Sequence, residues 1–563
     1  MLFFALFFFL ISYFFYMMPT VKVQLAAMQD ADYFYEKYVV FMKGERKTQL
    51  MWVMVAFIGA TLLIQKMFPL AIYLILHGIA LVVLTLVNRK RIKPNPIERD
   101  GRIGRVGLAA LGLFLALFLL LAWLFKETFL WEMPFILSFL TFMTDTWILL
   151  GNWIASPGEK RREKKAAAAA GELRTALNEQ RKSAGKAPAL VIGVAGSFGK
   201  TGFVQVAKQL LSEKFQVVAP DPNLVGTVYN AAGAVRQLAE GEGDIAFVEI
   251  MARHPGEIKK FKQSIPLDAA VLTSAADRSM ETFLAKERMS ATLMEIGDDM
   301  PEGGKLPTLT INYDDDQLRK QKLPASALRY GSYKGEGTPQ HLDLWAKNLN
   351  CDLTGSTFTL TARDGQAMEM KTPLLGRFTA LYAVAAAGLC QRLGMSGEEI
   401  RNALAKLAPM EGHPTLLPAG NWPERVKKAT AKPWESEGEL TKTPAVFRIL
   451  DDPNEASLEG AKETLNLLST YQGFRILLTR GLRGQGEQED EFNRLLGRHA
   501  AKCVDAIVVI GKEKFSCIED GAQRGGFAYS DLHLASDLRD AILRTERLAE
   551  EMGKCCVAIL GRV

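Results

Sequence analysis

The sequence predicts an α-helical membrane region followed by two α/β domains. Three observations carry that prediction. The chain opens MLFFALFFFLISYFF and stays dominated by Leu, Phe, Ala, Met and Ile to about residue 155. Beyond that point charged and apolar residues mix as in a globular protein. There, buried-strand patterns lead into amphipathic helical ones, first in ALVIGVAGSFGKTGFVQVAKQLLSEKF (189–215) and one unit later in GDIAFVEIMARHPGEI (243–258).

At 563 residues the chain is long enough for three or more domains, each with its own core. The boundaries read 1–155 for the membrane region, 156–185 for a helical, solvated linker, 186–411 for a central domain and 412–563 for a C-terminal domain. The net charge of +6 is modest and comes largely from short basic clusters between apolar runs, which argues for membrane topology and against a nucleic-acid partner. The six cysteines all lie beyond residue 350 with no CxxC, as reduced intracellular thiols do.

Five apolar runs, roughly 1–18, 50–65, 68–88, 106–125 and 129–150, predict about five crossings. The basic clusters FMKGERK (41–47), NRKRIKPNPIERDGRIGR (88–105) and GEKRREKK (158–165) fall where five crossings put the cytoplasm. The expectation is a multi-pass protein of the cytoplasmic membrane, in contact with membrane lipids, with its α/β domains in the cytoplasm. The first run lacks the basic n-region and small-residue cleavage site of a signal peptide. Glu132 and Asp145 in the last run read either as a lipid or substrate site or as caps near span ends.

The stretch 189–215 gives a strand, a glycine turn and a helix, the order that wraps backbone N–H groups and a helix N-terminus around phosphate. In G-S-F-G-K-T, residues Gly196, Ser197, Phe198, Gly199, Lys200 and Thr201 form the nucleotide cradle. Lys200 is suited to the β/γ-phosphates of ATP and the Thr201 hydroxyl to Mg²⁺. The general phosphate-loop pattern wants Gly where this chain has Val194, so the shorter form is the one met. Glu249 closes the next buried strand, at the end where α/β sheets bind ligands, and supplies a second oxygen for the metal.

With HPGEI (254–258) following that strand, the pattern resembles the Mur ligases, nearest their MurF branch. The resemblance covers most of 186–563. It implies a central domain of the phosphate-loop type and a Rossmann-like C-terminal domain. LTINYDDD (309–316) resembles the family's N-x-D-D turn, so Asn312 is implied at the adenine; PLLGRFTALYAVAAAGL (373–389) resembles the helix that closes the central domain, with Arg377 toward the nucleotide. FRILDDPNEASLEGAKETL (447–465) implies a nucleotide or hinge contact at Asp451. APDPNLVGTVYN (219–230) stands in the place of the substrate loop, so Asn223 and His254 are the implied substrate-side residues. LAKERM (284–289) offers Lys286 as the family's carbamylated, metal-binding lysine, or as an ordinary helix lysine. The implied activity is ATP-dependent amide ligation, with a carboxylate activated as acyl phosphate and attacked by the amine of an amino acid or dipeptide. The implied acceptor is a peptide-bearing cell-wall precursor.

The departures carry information too. The family's metal-binding His is absent from TSAADRSME (273–281), where Asp277 either replaces it or leaves the second metal site out. Phe378, Thr379 and Tyr382 stand for polar residues of the closing helix, and His413 for the hinge Arg in APMEGH (408–413). Membrane spans replace the small UDP-gripping domain, which points to a lipid-linked acceptor or to anchoring as the positioning device. Two further readings stay open: the same chemistry on another envelope polymer, and a catalytically weak ATP-binding scaffold. A small antiparallel insert is expected over 342–371, from its alternation and the Asp364–Gly365 turn.

Overall fold

The structure is a computed structural model. It describes the chain apart from residues 32, 34, 36–37, 40–67, 92–100, 220–226, 253, 276–284, 301–305, 411, 418–421, 431–446, 454–456, 484–487 and 562–563. The described chain falls into two compact units, Met1–Lys165 and Ala166–Val563.

The first unit is helical: α1 (Leu2–Asp30), α2 (Leu70–Arg91), α3 (Gly101–Leu124), α4 (Phe129–Phe142) and the first part of α5 (Thr144–Ser183). Phe9, Tyr13 and Tyr16 of α1 pack with Leu74 and Leu81 of α2 and Leu137 of α4, while Phe3, Phe7, Leu111, Leu119 and Trp123 stay exposed. An apolar exterior around a packed interior suits a lipid solvent. Leu2–Gln29 and Gly101–Leu124 are long and apolar enough to cross a membrane; α4 and α5, bent by 62°, make a third if the pair is one span. The apolar stretch Leu70–Leu86 is shorter, and the run at 50–65 lies outside the described residues. Five crossings thus reduce to two or three among the described residues. Glu132 and Asp145 each sit in the first turn of their helix, where a carboxylate meets the positive end of the helix dipole.

In the second unit a nine-stranded sheet runs in the order β2-β3-β1-β4-β5-β6-β7-β8-β9. Its strands are β1 (Leu190–Ala195), β2 (Val217–Val218), β3 (Ile245–Glu249), β4 (Ala269–Leu272), β5 (Leu309–Asn312), β6 (Leu328–Tyr333), β7 (Leu344–Asp352), β8 (Gly355–Ala362) and β9 (Ala367–Thr372). Pairing is parallel through β7 and antiparallel from β7 to β9. The antiparallel stretch expected over 342–371 is present as β7–β9 and continues the main sheet. Alternation identifies strands but not the edge that accepts them. The expected Asp-Gly turn is present, with Gly365 at φ 88°.

Helices cover both faces. On one, α6 (Lys200–Leu211), α10 (Arg377–Arg392) and α11 (Gly397–Ala405) pack on Ile192, Val194, Phe247 and Tyr330. On the other lie α7 (Val228–Glu240), α8 (Glu257–Ser264), α9 (Lys286–Met294) and the tail of α5. Strands buried on both faces explain the near-continuous apolar runs LVIGVA and IAFVE.

The α5 tail is not solvated all round. Ala167, Ala170 and Leu177 are buried against the sheet. Arg181 pairs with Asp244 at 2.6 Å and Arg174 with Asp268, and the two acids also accept from the backbone N–H groups of Gln216 and Val191.

A six-stranded sheet follows, ordered β10-β11-β15-β12-β13-β14. It comprises β10 (Thr415–Leu417), β11 (Phe447–Asp452), β12 (Phe474–Thr479), β13 (Ala506–Ile510), β14 (Leu532–Ala535) and β15 (Cys555–Leu560), parallel except for β10. Helices α12 (Leu458–Ser469), α13 (Glu489–Ala500), α14 (Phe515–Arg524) and α15 (Leu538–Met552) flank it. Leu375 of the preceding segment is buried in this second α/β core.

Candidate active site

The site forms at the C-terminal ends of β1, β3, β4 and β5. After Ala195 the chain turns through Gly196 (φ 147°) and Gly199 (φ 82°), conformations that L-side chains rarely adopt. A Cβ at Gly196 would lie 2.2 Å from Thr273 Oγ1, so the loop passes hard against the end of β4. That contact is reinforced: Ser197 N donates to Ser274 O at 2.9 Å, and Thr273 Oγ1 donates to Phe198 O at 2.5 Å.

Lys200 opens α6, and its Nζ donates to Gly196 O at 2.6 Å, folding the ammonium back across the loop in a buried setting. Next to it, Thr201 Oγ1 donates to Glu249 Oε2 at 2.8 Å. Glu249 ends β3 and is 3% exposed. Burial raises its carboxyl pKa, while the Thr201 hydrogen bond and the Lys200 charge oppose the shift. A hydroxyl and a carboxylate side by side on a phosphate loop fit Mg²⁺, which takes few protein oxygens and completes its shell with phosphates and water. Among the described residues no cluster of three or more His, Cys, Asp or Glu is placed to hold a metal by itself.

The N-x-D-D turn is held by its own side chains. Asn312 Nδ2 donates to Thr273 O at 2.9 Å and its Oδ1 accepts from Asp314 N at 3.0 Å, so these bonds tie β4 to β5. The residue that links the turn to α10 is Asp314, which sequence reading passed over. It accepts from Arg377 Nη2 at 2.7 Å and Ser332 Oγ at 2.7 Å. Asp315 accepts from Ala275 N at 2.7 Å and caps the short helix Asp316–Arg319. Three consecutive acids were the available signal.

Arg377 also faces the six-stranded domain. Burial pushes the Glu463 carboxyl of α12 upward in pKa, and the charge of Arg377 opposes the shift. Asp451 lies in β11 and pairs with Arg425, partly offsetting the upward push of burial on its carboxyl. HPGEI builds a helix start: His254 N donates to Glu257 Oε2 at 3.2 Å, and Gly256 N donates to Glu295 Oε1 at 2.7 Å. Lys286 is the first residue of α9, its side chain not among those described. Asp277 and Asn223 lie outside the described residues.

The residues that depart from the family pattern gather on the loop. Phe378 meets Phe198 edge to face, with centroids 5.1 Å apart. Tyr382 meets His413 edge to face at 6.3 Å. Burial keeps His413 neutral, its pKa pushed down to about 4.

Residues 194–390 match the Mur ligase middle domain. A UDP-N-acetylmuramoyl-tripeptide--D-alanyl-D-alanine ligase of Mycobacterium tuberculosis is 28% identical over 251 residues, 44% of this chain and 46% of that one. The Escherichia coli protein of the same description is 25% identical over 328 residues, 58% of this chain and 65% of that one. MurF from Thermotoga maritima, solved in complex with ADP, aligns with a TM-score of 0.52 at 20% identity, over 70% of this chain and 80% of that chain. The chain spans about half the length of the mycobacterial relatives it matches. Fold and site thus define a chain that carries the Mur ligase middle domain. The sequence relatives are described as D-alanyl-D-alanine ligases of the MurF type, and the fold of the α/β part is like that of MurF.

Proposed function

We propose that the protein is a membrane-anchored, MurF-like ATP-dependent amide ligase of cell-wall precursor synthesis. The observation that carries this reading is the Lys200–Thr201–Glu249 constellation at the end of the sheet. A carboxylate is inert toward amines near neutral pH. Transfer of the γ-phosphoryl group of ATP to one carboxylate oxygen makes an acyl phosphate and releases ADP. The amine of an amino acid or dipeptide then attacks the carbonyl carbon, and phosphate leaves as the C–N bond is made. Lys200 steadies the charge on the phosphoryl oxygens, and the loop N–H groups hold the nucleotide in line. Thr201 and Glu249 would hold Mg²⁺, which would supply neutralisation of phosphate charge. Lys286, as a carbamate, and Asp277 are the candidates for a second metal site. Asn223 and His254 remain candidates on the substrate side, and Asn312, Arg377 and Asp451 on the nucleotide side.

The acceptor proposed is a lipid-linked peptide precursor at the cytoplasmic face of the membrane, because apolar helices precede the α/β unit. Full-length protein in lipid nanodiscs is to be given ATP, Mg²⁺, a dipeptide donor and either a UDP-linked or an undecaprenyl-linked acceptor. Phosphate release that requires donor and acceptor, with ligated product by mass spectrometry, is the expected result. Turnover on the soluble acceptor alone would sink the lipid proposal; no ligation with either would favour the scaffold reading. One observation speaks for that second reading: aromatic residues, Phe378 and Tyr382, line the loop where the family has polar ones.

A further inference from the structure

The first turn of α6 has two side-chain-free faces, and both are filled from outside. A Cβ at Gly199 would lie 2.3 Å from Tyr382 Oη and 2.8 Å from its ring carbons. A Cβ at Gly202 would lie 2.5 Å from His413 Cε1, 2.7 Å from His413 Nε2 and 2.7 Å from Tyr382 Cε2. Real Cβ atoms do not approach so closely, so the rings occupy the volume that side chains would take.

The two rings come from different places. Tyr382 belongs to α10, is 3% exposed and packs within the core that holds α6. His413 belongs to the connection between α11 and β10, the segment that joins the two sheets. That segment is itself pinned: His413 N donates to Met410 O at 3.3 Å, and Thr415 Oγ1 donates to His413 O at 3.0 Å. Between Gly199 and Gly202 stand only Lys200 and Thr201, the two residues assigned to phosphate and metal.

We propose that Tyr382 and His413 are positioning residues of the phosphate loop, their rings seating in the notches at Gly199 and Gly202 so that the turn bearing Lys200 and Thr201 keeps one setting relative to the hinge. This rests on the reading of the loop as an ATP site. Each acts through the turn it packs on.

The test is equilibrium binding of a fluorescent ATP analogue, with Mg²⁺, to full-length protein in nanodiscs, alongside thermal unfolding. Gly202→Ala forces a methyl group into the His413 and Tyr382 rings and is expected to weaken binding about tenfold; His413→Ala, which only removes atoms, about three- to tenfold. Combined, the two are expected to cost less than the product of the single effects, because removing the imidazole makes room for the methyl. Tyr382→Phe keeps the ring and is expected to bind within about threefold of the unaltered protein, whereas Tyr382→Ala is expected to weaken binding at least tenfold. Unfolding midpoints that stay put while affinity falls separate positioning from general stability. Should Gly202→Ala fail to fold, His413→Ala and the Tyr382 pair decide alone. Full affinity in His413→Ala and Tyr382→Ala, or independent effects in the double variant, overturns the proposal and leaves the ATP reading intact. Absence of nucleotide binding in the unaltered protein overturns both.

Discussion

Lys200→Ala is expected to lower ATP-dependent product formation by about three orders of magnitude or more, since an ammonium aimed at a transferring phosphoryl group acts where charge develops. The fold is expected to survive. Lys200 opens α6 and donates to the Gly196 carbonyl, while the helix is held by Phe203, Val206, Ala207 and Leu210 in the core. Alanine is also the best helix former, so the first turn loses nothing in propensity. Initial rates and circular dichroism on the same preparation separate the two effects. A variant that turns over within tenfold of the unaltered protein would show that the loop does not bind the transferring phosphate.

Glu249→Gln is expected to lower the rate about a hundredfold or more and to raise the Mg²⁺ concentration for half-maximal rate, because a neutral amide is a poorer ligand for a hard cation. The substitution nearly preserves volume, and the amide oxygen still accepts from Thr201 Oγ1. It also removes a carboxylate that is costly to bury, so thermal stability is expected to hold or rise. Lys286→Ala, measured in parallel, reads the second metal site. A strong loss partly restored by short carboxylates fits a carbamate ligand there, and an unchanged Mg²⁺ dependence removes it. A Glu249→Gln variant with unaltered Mg²⁺ dependence would place the metal elsewhere.

The parts of this site that follow one another in sequence were legible in it. Strand, glycine turn and helix over 189–215 could be read because local geometry dictates the order of residues there, and Glu249 because a buried strand must end where ligands bind. What could not be read depends on contacts between segments far apart. Nothing near Tyr382 or His413 announces that they meet over Gly202; that follows from how α10 and the hinge connection cross α6. The bond from Arg377 to Asp314 was not legible either, because a motif marks residue types and not the direction of their bonds. The alternation over 342–371 gave the strands and the turn, but pairing of β7 with β6 depends on an open edge that the sequence does not display. The alanines of 166–170 misled in another way, since Ala is as much at home on a wet helix face as in a tight helix–sheet contact.

That last contact bears on how the chain can be cut. Arg174 and Arg181 neutralise Asp268 and Asp244 at the foot of the nine-stranded sheet, and Leu177 covers apolar residues beside them. A protease that nicks the exposed polar surface of α5 well past residue 166 would not free an intact α/β unit. A cut past Arg174 would strip Asp268 of its cation, and one past Arg181 Asp244 as well, at a cost on the order of 1 kcal/mol each, and would wet the apolar floor. A cut before that point would leave the wall in place. Separating an intact α/β unit and destroying it therefore differ by a few turns of one helix, and cleavage inside those turns would serve to undo the fold.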